Sequence, residues 1–286
     1  MIRVTKDLSK VPVQLASQNC KQKILDCMAN PSTHRHSSYY YRDGAIEELR
    51  PIYSNKCAYC ETSASAGADL RVDHFRPKQK LIENTNHGGY YWLTYEWSNL
   101  ILACEKCNGK KSNRFPIHTE ANRIFIPRLD SSGHCTSEYR NTHSTIYTSE
   151  APILLNPEAD DVEQHLIFKP NGEVTGLTSR GNETISILDL NRPTLVIARK
   201  KMIDGLLNDI HACVDDYIQS GSETHIRLSL KRVFNKMSDL QVPSKEYSRL
   251  GWFLFYKFDI FFLQRLPSKE AEIIKKAFNQ YIQNTL

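Results

Sequence analysis

The 286-residue sequence has no apolar run long enough to cross a bilayer. Its greasiest stretch, residues 252–263, is broken by Lys257 and Asp259. No apolar segment follows the charges of residues 1–10, so no secretory leader is expected and the cytoplasm is the expected compartment. Internal repeats and low-complexity tracts are also missing, which removes solenoid and linker architectures. Nor is there a large excess of one charge: the net charge is only +5, with 40% hydrophobic and 24% charged residues. That balance excludes wholesale disorder, and the length favours two packed units or one domain with an extension.

The positive charge is local. Arg71, Arg76, Lys78, Lys80, Lys106, Lys110, Lys111 and Arg114 outnumber Asp73, Glu83, Glu96 and Glu105 in one short region. Cysteines concentrate there as well. Cys57/Cys60 and Cys104/Cys107 form two CxxC pairs, whereas Cys20, Cys27, Cys135 and Cys213 read as small apolar residues. Two such pairs supply four thiolates for a closed tetrahedral site of the structural zinc kind, which staples the ends of the intervening segment together. On cysteines alone, a zinc knuckle that merely binds a partner is the better reading.

What the pairs enclose changes that balance. Leu70 and Val72 predict a strand running into Asp73 and His74, and residues 99–103 predict a second strand, with a basic helix from Cys104 onward. An acidic residue beside a histidine at a strand end can divide labour, Asp73 holding a hard cation and His74 facing the attacking water. Asn108, directly after Cys107, offers a neutral oxygen to the same cation; Asn113 is a rival further along the helix. Lys110 and Lys111 can neutralise neighbouring phosphates, as can Arg76 and Lys78, for which a solvated surface pair is an equal alternative.

A CxxC, then Asp73 and His74, then Asn99 and Leu100, then Cys104, Cys107 and Asn108 followed by lysines resembles the HNH nucleases with a zinc-bound ββα-metal core. The resemblance implies His74 as general base, Asp73 and Asn108 as ligands of a catalytic Mg²⁺ or Mn²⁺, and Asn99 as the brace of the loop holding His74. An asparagine stands where the family name has its last histidine. The runs CAYCE (57–61), VDHFRPK (72–78), YWLTYEWSN (91–99), LNPE (155–158) and ILDLNR (187–192) further resemble the PtuB-like HNH subunit of Septu-type antiphage systems. This implies an ATPase subunit, PtuA-like, as partner; some such proteins accompany retrons, which adds a reverse transcriptase and its nucleic acid. The chemistry acts on a phosphodiester, so DNA and RNA, including tRNA, stay open as substrates. A non-catalytic zinc module that binds nucleic acid and a scaffold that docks the ATPase are the alternatives.

The expected fold is therefore α+β: a helical lead-in (1–55), a zinc-stapled nuclease core (56–116), a loop and hairpin bridge (117–181) turning at Pro170, Asn171 and Gly172, and a mostly helical C-terminal region (182–286). In the last, Leu195, Ala198, Met202, Leu206, Ile210, Val214 and Ile218 form one stripe, with a possible partner-docking surface around residues 252–263. Tyr90, Tyr91, Trp92, Tyr95 and Trp97 read as core rather than as base-stacking residues. His34, His36 and the remaining histidines lack ligand spacing, and Glu158, Asp160 and Asp161 read as a solvated acidic turn.

Overall fold

The computed structural model describes residues 1–31, 33–64 and 69–286. They form two compact units, one of residues 1–166 and 176–190, the other of residues 167–175 and 191–286. The lead-in, the cysteine-rich core and most of the bridge thus fold together, unlike the four-part division expected. One buried cluster shows why. Lys6 Nζ donates to the carbonyls of Trp97 (2.9 Å) and Leu100 (2.7 Å) and pairs with Glu158 at 2.9 Å. The Tyr53 hydroxyl donates to the same carboxylate. Residues from all three segments meet there, so Glu158 is buried rather than solvated.

In the first unit, α1 (Gln18–Ala29) starts where Ser17 Oγ accepts from the Cys20 amide, and it buries Cys20, Ile24 and Cys27. Helix α2 (Ala45–Ile52) buries Ala45 and Leu49 and delivers the chain to Cys57. Strands β1 (Leu70–His74) and β2 (Leu100–Cys104) pair antiparallel, with Leu70 opposite Cys104 and His74 opposite Leu100. Helix α3 (Glu105–Lys111) follows β2 without a loop, which completes an α+β core of the ββα kind. Tyr90, Trp92, Tyr95 and Trp97 are buried as expected and Tyr91 is half-buried; Trp92 and Trp97 lie in short 3₁₀ turns, Tyr90 and Tyr95 beside them.

The expected hairpin forms from β3 (Leu166–Phe168) and β4 (Val174–Gly176), of which residues 167–175 belong to the other unit. Its turn needs glycine: Gly172 has φ +87°, and a Cβ there would lie 2.6 Å from the Val196 carbonyl oxygen. Helix α4 (Ser179–Leu188) belongs to the first unit, after which α5 (Pro193–Ser220) begins with proline in its first turn. The buried line of α5 runs through Leu195, Ile203, Leu206, Ile210 and Val214; Ile218, expected in that stripe, is exposed. Helices α6 (Glu223–Asp239), α7 (Ser248–Tyr256) and α8 (Ser268–Ile282) complete the unit.

Helix α7 ends at Tyr256, and past Lys257 the chain turns Phe258 onto Phe278 with ring centroids 4.0 Å apart. Phe253, Leu254, Phe258, Phe261 and Phe262 are consequently core, leaving Tyr256 and Ile260 exposed from the run read as a docking surface. Among the described residues no helix is long and apolar enough to cross a membrane.

Candidate active site

Cys104 ends β2 and caps α3, its sulfur accepting from the Cys107 amide at 3.5 Å. Cys57 and Cys60 lie on the loop after α2, and the Ala58 amide bonds to the Leu102 carbonyl at 2.8 Å, which fixes that loop beside β2. All four sulfurs are buried and lie within 4.8 Å of one another, with Cys60 and Cys104 3.7 Å apart. A tetrahedron with Zn–S bonds of about 2.3 Å has edges of roughly 3.8 Å. The donor set and spacing therefore fit one zinc ion. Contact with its neighbours, Cys107 first, draws the Cys104 thiol down to about 7, and the sulfur contacts take Cys60 well below its ordinary value. Burial first raises Cys57, and the Cys104 sulfur first raises Cys107.

The staple sits at one end of the β1/β2 pair and His74 at the other. His74 Nε2 lies 2.9 Å from the Thr94 carbonyl, an acceptor only, so that nitrogen carries the proton and Nδ1 is the free lone pair. Lys78 Nζ donates to Nδ1 at 3.3 Å. Tyr41, on a π-helical turn at Tyr39–Asp43, meets the imidazole edge to face at 4.8 Å, and Lys78 lies 4.6 Å over the Tyr41 ring. Burial first, and then the Lys78 ammonium, push the His74 pKa well below 6.5, so the ring is neutral at physiological pH. Burial also lowers Lys78, to about 8, against the opposing pull of Asp73.

Asp73, His74, Lys78, Asn108 and Asn113 share a cavity of about 130 Å³. Its donors are a carboxylate and amide oxygens, the set a hard cation such as Mg²⁺ takes. Asn99 braces the approach to this cavity. Its Oδ1 accepts from the Arg76 amide at 2.8 Å, and its Nδ2 donates to the carbonyls of Arg76 (2.9 Å) and Leu93 (3.3 Å).

Two of the expected phosphate contacts are elsewhere. Arg76 is neither free for phosphate nor on the surface: it is 2% exposed, pairs with Glu150 at 3.0 Å, donates to the Tyr147 carbonyl and lies among the rings of Tyr90, Phe115 and Tyr147. Lys111 is fully buried, pairing with Asp73 Oδ1 at 3.1 Å and donating to the His74 carbonyl at 2.7 Å. Tyr59 hydroxyl takes the other Asp73 oxygen at 2.7 Å. Both cations point inward because each has a buried carboxylate to neutralise. Lys110 is the solvent-facing one, paired with Asp189 at 2.9 Å. The residues the sequence reading missed here are Thr94, Tyr41 and Tyr59, none of which belongs to a chemical motif on its own.

Replacing Lys111 by methionine is expected to destabilise the first unit by about 3–5 kcal/mol, because Asp73 would remain buried without its cation. Lys110→Ala, which breaks an exposed pair, should change stability by less than about 1 kcal/mol. Denaturant melts of both variants check this, and equal midpoints would contradict the assigned roles.

Residues 57–114 match the family model described as HNH endonuclease. The chain is 32% identical over 170 residues to the Septu protein PtuB of Bacillus mycoides, a match covering 57% of this chain and 52% of PtuB. It is 26% identical over 188 residues to the Septu protein PtuA of the same organism, covering 64% of this chain and 24% of PtuA. A third relative is the retron Vc95 putative HNH endonuclease of Vibrio cholerae, 25% identical over 187 residues, covering 63% of this chain and 77% of that protein. The chain thus spans about half the length of PtuB and a quarter of that of PtuA. Site geometry and sequence comparison single out one stretch: residues 57–114, which hold the cavity and the four cysteines, match the HNH endonuclease model, in a chain similar to Septu and retron proteins.

Proposed function

We propose that this protein is a divalent-metal-dependent endonuclease that hydrolyses phosphodiester bonds in nucleic acid, as the effector of an antiphage defence complex with an ATPase partner. The observation that carries the reading is the orientation of His74. With Nε2 bound to the Thr94 carbonyl, the one basic nitrogen is Nδ1, on the residue that shares a cavity with the oxygens of Asp73 and Asn108. A neutral imidazole so fixed can take a proton from an attacking water. In the ground state Lys78 shields Nδ1; an entering phosphate would draw that ammonium to itself and leave the base free. A Mg²⁺ or Mn²⁺ held by Asp73 and Asn108 would supply the neutralisation of charge that builds on the phosphate. Lys111 and Tyr59 hold Asp73 in place for that task, leaving lone pairs on both oxygens. Lys110, on the exposed face of α3, would meet the flanking backbone. The defence setting and the ATPase rest on the likeness to the Septu and retron proteins.

The test is cleavage of duplex DNA and of structured RNA by the full chain, alone and with the co-expressed ATPase, over a Mg²⁺ titration. Asn108→Ala should need at least roughly 10-fold more Mg²⁺ for half-maximal rate, since even loss of an outer partner of a metal ligand costs about 10–100-fold in affinity. No metal-dependent cleavage of either substrate by the assembled complex would leave a docking or binding module as the correct reading.

A further inference from the structure

Three side chains that take no part in the proposed hydrolysis converge beside the active-site cavity. Cys27 lies in the last turn of α1, and His34 and His36 lie on the segment that leads to the π-helical turn at Tyr39–Asp43. One ligand atom from each falls within 4.8 Å of the other two, and the two imidazoles meet at a centroid distance of 5.2 Å. Cys27 is buried and both histidines are half-buried. Around them, Cys27 Sγ lies 3.5 Å from the Tyr91 carbonyl and also meets the Thr94 hydroxyl, and His34 Nε2 lies 3.4 Å from the Tyr95 hydroxyl. His36 Nδ1 is buried and has no hydrogen-bond partner. A buried polar atom left unpaired costs about 1–3 kcal/mol, and native structures seldom keep one without a ligand or a water to satisfy it.

The chemistry of the three donors narrows what that ligand is. One thiolate and two imidazoles, with no carboxylate among them, suit a borderline-soft ion and reject Mg²⁺ and Ca²⁺, which ask for oxygen. Thiolate and imidazole are each donors that zinc takes, and three protein ligands leave the fourth position of a tetrahedron open. We propose that Cys27, His34 and His36 bind a second zinc ion, independent of the four-cysteine site. Bound there, the ion ties the end of α1 to the 34–36 segment. That segment continues directly into the turn whose Tyr41 ring rests on His74, so the second ion is a positioning element for the base. The positioning role rests on the nuclease reading; the metal site itself does not, and the test below counts metal alone.

Native mass spectrometry of the full chain counts bound metal on the folded species and so separates loss of zinc from loss of fold. The wild-type chain should carry about two zinc ions, and Cys27→Ser and His36→Gln about one each, with the four-cysteine ion retained. Cobalt substitution of the wild-type chain gives a second readout that needs no variant: a tetrathiolate centre and a one-thiolate centre differ several-fold in the intensity of sulfur-to-metal charge transfer. A wild-type chain carrying a single zinc with one tetrathiolate spectrum overturns the proposal. So does a two-zinc chain whose count is unchanged by both Cys27→Ser and His36→Gln.

Discussion

A His74→Ala chain is expected to purify folded, with its zinc content unchanged, and to cleave nucleic acid about 10²–10⁴-fold more slowly than the parent at saturating Mg²⁺. The size follows from what is removed. His74 supplies the basic nitrogen of the cavity it shares with Asp73 and Asn108, and among the described residues no other imidazole lines that cavity. Lys78, the nearest other titratable group, has its pKa lowered only to about 8 and stays mostly cationic at neutral pH, so it cannot accept the proton efficiently. What stays behind also matters. The Thr94 carbonyl, the β1/β2 register and the four cysteines are untouched by truncation at position 74, so the effect should appear in the rate of the bond-breaking step and not in substrate affinity. Single-turnover kinetics separates the two. A variant that cleaves within a few-fold of the parent would remove His74 as the base and with it the main support for the hydrolytic mechanism.

The second large effect is structural. Cys57→Ser or Cys107→Ser should abolish binding of the staple zinc and with it the ordered state of the first unit's ββα core. Four-ligand zinc sites of this type contribute roughly 10–16 kcal/mol of binding free energy coupled to folding. That is comparable with the entire stability of an ordinary domain, about 5–15 kcal/mol, so no surface compensation can make it up. The ligands also do positional work, since Cys104 is at once a thiolate of the site, the partner of Leu70 in the strand register and the cap of α3. Its neighbours Asn108 and Lys111 would lose their alignment to Asp73 together. Elemental analysis and hydrogen exchange across residues 70–111 check the expectation, with Cys213→Ser, a buried thiol on α5, as the comparison that should keep its metal. A serine variant that retains full zinc and native exchange protection would refute the staple.

How far the sequence could foretell this arrangement depended on whether a feature was local. The CxxC pairs, the strand leading into Asp73 and His74, the helix after Cys104 and the Pro170–Gly172 turn are each decided within a few residues, and each was legible. Arg76 and Lys111 were not. Charge in a sequence reads as surface, and the carboxylates that bury these two cations, Glu150 and Asp73, lie 74 and 38 residues away along the chain. The Lys6 and Glu158 pair hid the unity of the first unit for the same reason. Cys27, His34 and His36 escaped because their spacing is set by a helix end and the segment after it, and a cysteine followed at a distance by two nearly adjacent histidines matches no fixed ligand pattern. The break at Lys257 is likewise tertiary, since Phe258 turns onto the rings of Phe278 and Phe234, which lie far from it in the sequence.

The hydrogen bonds of Asn99 have a consequence for chemical ageing. The backbone ladder of β1 and β2 runs one step past His74, where the Phe75 amide meets the Asn99 carbonyl at 2.9 Å. At the next step a side chain takes over from main chain: a primary amide is the isostere of a peptide group, and here it offers one acceptor and two donors to the backbone of residues 76 and 93. Deamidation replaces the amide by a carboxylate of nearly the same shape with no donor left. The carbonyls of Arg76 and Leu93 would then face negative oxygen at hydrogen-bond distance, in a site with no exposure to water. A change of one mass unit, invisible to most assays of fold, would thus unfasten the turn behind His74. The same burial keeps water away from the amide, so the folded turn protects the side chain whose hydrolysis it could least absorb.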